Sequence, residues 1–114
     1  SVKAMRSIEE AAEKIKKGIS VILFAEGTRS KDGSIQPFKR GPFLLASKTK
    51  VPIIPVTING AAKILPKKSL RINSGTLEII FGKPIPTDNI LTKSDEIELL
   101  NNVRNEIIKN YKEE

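Results

Sequence analysis

A chain of 114 residues, 39% apolar but only 4% aromatic and without Trp, has room for one small domain with an aliphatic core. It has neither Cys nor His, which excludes a disulfide framework, a thiolate metal site and the commonest general base at neutral pH. The net charge of +7 is concentrated in the middle, where Arg29 to Arg71 holds ten basic residues and one acid, Asp32; Pro84 to the end holds seven acids and four bases.

Such a basic middle suits a face that meets phosphate, anionic lipid or nucleic acid, although any single lysine also serves simply for solubility. No apolar run approaches the roughly 18 residues that span a bilayer, and no signal peptide is visible. The chain opens Ser1-Val2-Lys3, and the expectation is that it is a piece of something longer.

Ser7-Ile8-Glu9-Glu10 has the form of a capping box, and Ile8, Ala11, Ala12, Ile15 and Ile19 follow at roughly helical spacing. A helix is expected over residues 7–17, stopped at Gly18. Ser20 to Ala25 is an unbroken apolar run that reads as a strand buried on both faces, ending at Glu26-Gly27-Thr28-Arg29-Ser30. Lys31-Asp32-Gly33-Ser34 supplies turn chemistry.

Gly41-Pro42 reads as a helix start, with Gly as the cap and Phe43 to about Lys50 as the body. Val51 to Ile58 is a second apolar strand; Pro52 and Pro55 cannot donate to a ladder, so it should begin late or sit at an edge. Leu70 to Ile72 and Thr76 to Phe81 flank Asn73-Ser74-Gly75 as a hairpin would, and Lys83 to Pro86 continues in extended form. A last amphipathic helix over residues 94–111 shows Ile97, Leu100, Val103, Ile107 and Tyr111 on one stripe. The order indicates an α/β fold, a partial mixed sheet flanked by helices, with the two apolar strands as a parallel pair.

An apolar strand that stops at a carboxylate, a Gly and an Arg sets polar groups at its carboxyl end, where open α/β sheets bind ligands. Gly27 permits a tight turn, Thr28 offers a hydroxyl, and Arg29 offers a planar fork suited to phosphate oxygens. Lys39-Arg40-Gly41-Pro42 places two cations before a helix amino terminus, which also favours an anion. Two anion-seeking features so close together point to a phosphorylated ligand. The plainer reading is that Glu26 pairs with Arg29 or a nearby Lys and ties the loop down.

Phe24-Ala25-Glu26-Gly27-Thr28-Arg29-Ser30 resembles the Phe-Pro-Glu-Gly-Thr-Arg-Ser block of the glycerolipid acyltransferases, particularly the 1-acyl-glycerol-3-phosphate acyltransferases, with Ala25 in place of the usual Pro. Phe38-Lys39-Arg40-Gly41 is similar to the basic segment that follows in that family, and Val51-Pro52-Ile53-Ile54-Pro55-Val56 to its fourth block. The resemblance covers about residues 4–86. It implies one partial domain over 1–114, the carboxyl-terminal part of the glycerol-phosphate acyltransferase-type fold. It also implies that Glu26, Gly27, Thr28 and Arg29 hold the glycerol-phosphate acceptor and that Lys39, Arg40 and Gly41 add secondary contacts. Val51, Pro52 and Ile53 would belong to a block tied to acyl binding or catalysis, the alternative being plain core strand.

The implied reaction moves a fatty acyl group from acyl-CoA or acyl-carrier protein to lysophosphatidate, giving phosphatidate, with no cofactor and no metal. The implied setting is the cytoplasmic face of a membrane. In the family, a His with an Asp four residues on takes the acceptor hydroxyl's proton. This chain has no His, so no catalytic residue is expected in it, and the chain alone is expected to be inactive. The competing expectations are a non-catalytic module for anionic lipid or a phosphorylated small molecule, and a nucleic-acid binder. The last is disfavoured because the basic residues are not interleaved with aromatic side chains.

Overall fold

In the computed structural model, residues 2–26, 35, 37–64 and 74–112 are described. In chain order the elements are helix α1 (Val2–Lys16), helix α2 (Gly41–Thr49), strand β1 (Val56–Asn59), the single turn α3 (Ala61–Ile64), strand β2 (Glu78–Phe81) and helix α4 (Lys93–Asn110).

α1 starts five residues earlier than Ser7-x-x-Glu10 suggests. Lys3, Ala4, Met5 and Arg6 are all good helix formers and extend it backwards. Ser7 therefore lies inside the helix, its Oγ donating to the Lys3 carbonyl at 3.2 Å instead of capping. The expected stop holds: Gly18 takes φ +88° and its N–H closes onto the Ile15 carbonyl at 2.9 Å.

Residues 20–25 form no strand, and they are not buried on both faces: Ile22 is 85% exposed and Phe24 78%. A strand requires a ladder partner. Lys39 donates its N–H to the Ala25 carbonyl at 2.8 Å, a single backbone bond and not a ladder. The expected parallel pair is accordingly absent among the described residues. β1 pairs instead with β2, antiparallel, in the register Val56↔Phe81, Thr57↔Ile80, Ile58↔Ile79, Asn59↔Glu78.

β1 begins directly after Pro55, as the two prolines require. The Gly82 N–H extends the ladder to the Pro55 carbonyl at 2.8 Å, and an isolated bridge joins Ile53 to Ile85. The first arm of the expected hairpin, Leu70 to Ile72, lies outside the described residues. Its second arm is β2.

α2 and α4 enclose the core of Phe43, Ala46, Ile90, Leu99 and Val103, with Ala25, Phe38, Ile53, Ile85, Leu100 and Ile107 packed against it. In α2 the cap is Arg40, not Gly41, which is already the first helical residue. α4 starts at Lys93 behind a capping box of Thr92 and Asp95. Its buried stripe is turned relative to the expected one. Leu99 and Val103 are buried, whereas Ile97 is 48% exposed.

The sheet packs on α4 through polar groups. The Thr57 hydroxyl donates to the Ile107 carbonyl at 3.0 Å, and the Asn59 amide to the Asn110 carbonyl at 3.0 Å. Val56, Ile58, Ile79 and Phe81 occupy the opposite, exposed face.

Candidate functional site

The residue just before the first motif is joined to the second by one backbone bond. Lys39 donates its N–H to the Ala25 carbonyl, so Ala25 and Glu26 lie beside the segment that leads into α2. Gly27, Thr28 and Arg29 lie outside the described residues. Lys39 and Arg40 are exposed, and Gly41 opens α2 in loose contact with α1, where an added Cβ would meet Ile8 Cδ1 at 3.8 Å. The Arg40 carbonyl accepts from Phe43 and Leu44 N–H, both at 3.0 Å, which fixes the first turn directly behind the two cations.

Arg40 is also tied sideways. One terminal nitrogen donates to Glu96 Oε1 at 3.3 Å, across 56 residues of sequence. The arginine side chain stays 54% exposed while the glutamate's is 12% exposed. The guanidinium therefore keeps solvent-facing donors for an anion while its position is set by α4.

The segment that carries Lys39 is held from α4 as well. Arg104 donates to the Ile35 carbonyl at 3.0 Å, and its guanidinium carbon lies 5.9 Å from the centre of the Phe38 ring. Phe38 in turn stacks on Phe43, centroids 6.3 Å apart and planes 14° from parallel.

Val51, Pro52 and Ile53 follow α2. The Val51 carbonyl accepts from the buried Thr87 hydroxyl at 2.7 Å, and Ile53 exchanges backbone bonds with Ile85 at 3.0 and 2.7 Å. Pro52 is exposed; Ile53 packs against the core. A turn at Lys50 in the left-handed region (φ 58°) joins α2 to this segment, and the lysine ammonium donates to the Ile90 carbonyl. A shallow cleft of about 350 Å³ is lined by Lys83, Pro84, Ile85, Asn102, Asn105 and Glu106, and by none of the sequence-predicted site residues. Among the described residues no group of acidic side chains could hold a metal ion, and no helix is long and apolar enough to cross a membrane.

Glu96 and Arg104 are the residues that sequence reasoning missed. One signal was present for Arg104: it is flanked on its own face by Leu100 and Ile107, an unusual place for a guanidinium.

The family described as Acyltransferase matches residues 1–59. The chain is 49% identical over 79 residues to a chloroplastic 1-acyl-sn-glycerol-3-phosphate acyltransferase of Brassica napus, an alignment that takes in 68% of this chain and 23% of that one. It is 35% identical over 105 residues to 1-acyl-sn-glycerol-3-phosphate acyltransferase alpha of Homo sapiens, covering 92% of this chain and 37% of the human one. Among solved structures, it is similar to the 1-acyl-sn-glycerophosphate acyltransferase of Thermotoga maritima, with a TM-score of 0.81 and 32% identity over 91% of this chain and 42% of that one. The chain thus spans less than half the length of each of these relatives.

Proposed function

The chain belongs to the acyltransferase family, and from that premise we propose that it forms the acceptor-binding part of an enzyme that acylates lysophosphatidate. In that reaction the free hydroxyl oxygen of the acceptor attacks the carbonyl carbon of a fatty acyl thioester. The C–S bond breaks, the thiolate leaves, and the hydroxyl proton passes to a base. The product is phosphatidate, and the thioester is that of acyl-CoA or acyl-carrier protein.

The part assigned to these 114 residues is to bind and orient. Arg29 takes the acceptor phosphate, Thr28 and the Gly27 backbone approach it closely, and Glu26 fixes the turn or accepts from the glycerol. Lys39 and Arg40 add positive charge at the amino terminus of α2, where the helix dipole also favours an anion. Val51, Pro52 and Ile53 belong to the acyl side. The observation that carries this reading is the bond from Lys39 N–H to the Ala25 carbonyl, which supports one site built from two separated basic motifs. Both substrates are amphiphiles, so the site is proposed to work at the cytoplasmic face of a membrane, its cations towards anionic headgroups.

No His is present to take the proton. The 114 residues by themselves are therefore expected to bind lysophosphatidate without acylating it. Displacement of an anionic-lipid probe measures this directly. Lysophosphatidate is expected to displace the probe and single-stranded DNA is not. Arg29→Ala is expected to weaken lysophosphatidate at least about tenfold, the scale of one lost charge-assisted contact. Equal competition by DNA, or unchanged affinity in the variant, would overturn the assignment. Acyl transfer restored by adding an acyltransferase segment that contains the His-Asp pair separates the enzyme from a purely phosphate-binding module.

A further inference from the structure

Arg104 occupies a costly position. It sits on α4 between Leu100 and Ile107, both packed on the core, and its Nε is buried with no hydrogen-bond partner among the described residues. None of the ion pairs formed among the described residues involves it. A Met or Leu would suit such a face without the cost of desolvating a cation. What the arginine visibly contributes lies on the other side of the contact: a bond to the Ile35 carbonyl and a cation–π contact with Phe38, 69 and 66 positions before it in the sequence.

Those two residues begin the segment that carries Lys39 and Arg40. Four residues of this segment are tied down. Ile35 is held by Arg104, Phe38 by Arg104 and Phe43, Lys39 by the Ala25 carbonyl, and Arg40 by Glu96. Three of these four residues are held from α4, which carries none of the residues that the family motifs mark. An anion site loses affinity when its cations must be ordered on binding, because that ordering cost is subtracted from the contact energy.

We infer that Arg104 is a positioning residue for the acceptor site, holding Ile35 and Phe38 so that Lys39 and Arg40 are already in place when the phosphate arrives. The inference rests on the proposed function for the identity of the ligand, but not for the clamp itself. The test joins two readouts on the 114-residue chain: amide hydrogen exchange, and binding of monomeric lysophosphatidate. Arg104→Met keeps the packing and removes the donor and the charge. Arg104→Lys keeps the charge and one donor but not the planar fork.

In Arg104→Met the Lys39 amide, which donates to Ala25, is expected to exchange about tenfold faster, with the Leu99 and Val103 amides unchanged. Affinity for lysophosphatidate should fall by a similar factor. Arg104→Lys should lie between wild type and Met in both measurements. An unchanged Lys39 amide overturns the inference. So does affinity lost without any change in exchange, which would make Arg104 a ligand contact. Faster exchange along the whole of α4 would reduce the residue to ordinary structural support. If wild-type chain does not bind lysophosphatidate, the proposed function fails, and the exchange rate of the Lys39 amide still decides whether Arg104 clamps this segment.

Discussion

Asp95 shows how much one carboxylate can be asked to do. Its Oδ2 accepts from the N–H groups of Leu91 and Thr92, both at 3.0 Å, while its own N–H donates to the Thr92 hydroxyl at 3.1 Å. The backbone N–H of Leu91, then that of Thr92, hold its carboxyl below the usual aspartate range. Glu78 is lowered too, chiefly by its hydrogen bond from Lys112 and then by that from Asn59. A carboxyl group with a depressed folded value contributes stability that is complete above its unfolded pKa and lost as pH falls through the folded one. Urea midpoints are therefore expected to fall as pH drops below about 4. Asp95→Asn should flatten that decline, and Asp95→Asn combined with Glu78→Gln should flatten it further. A double variant with the wild-type acid slope would show that other groups carry it. The same residue marks where sequence reading reaches its limit. Ser7-Ile8-Glu9-Glu10 has the better capping-box spelling, yet the box forms at Thr92-Lys93-Ser94-Asp95. A cap exists only where the chain stops being helical, and Lys3 to Arg6 carry α1 straight through Ser7.

At the scale of elements, α4 closes the core and ties down the basic segment before α2, and its orientation is the testable point. Leu99→Ala should cost about 2–5 kcal/mol, the usual range for emptying a core position. Ile97→Ala, on the exposed side, should cost less than about 1 kcal/mol. Urea unfolding of the two variants decides between this orientation and the one read from periodicity, which puts Ile97 in the stripe. The helix itself is legible in the sequence because 3.6-residue spacing persists over five turns. Its rotation is not, since Leu99 and Leu100 are equally apolar and only the position of the core selects between them. β1 is legible in a similar way: the prolines that delay its start act through backbone chemistry alone. Its partner is not, because pairing is a property of two segments. The two motifs of the candidate site stand out because Gly, Arg and a Lys-Arg pair are conspicuous at the ends of apolar runs. Glu96 does not stand out, since a charge on a helix reads the same whether it faces water or grips another segment; Arg104 shows only through its apolar neighbours Leu100 and Ile107.

Across the whole molecule, the sheet is inside out. Thr57 and Asn59 are buried against α4, satisfied by helix carbonyls, while Val56 and Ile58 on β1 face outward beside Phe81, 70% exposed, and Ile79. A contiguous apolar face of this kind is expected to bind a hydrophobic dye in the folded state and to drive self-association as concentration rises. Ile79→Glu should lower both dye fluorescence and the sedimentation-derived mass without shifting the urea midpoint. A shift would place Ile79 in the core. The ties from α4 to the basic segment carry a different consequence, in time. They join residues 56 and 69 positions apart, so they can form only once synthesis has passed Glu96 and Arg104. At about 5–20 residues per second, synthesis of the stretch from Arg40 to Arg104 occupies roughly 3 to 13 s. During that interval the growing chain carries its cations without the helix that holds them, and full ligand affinity should not appear before α4 has been made.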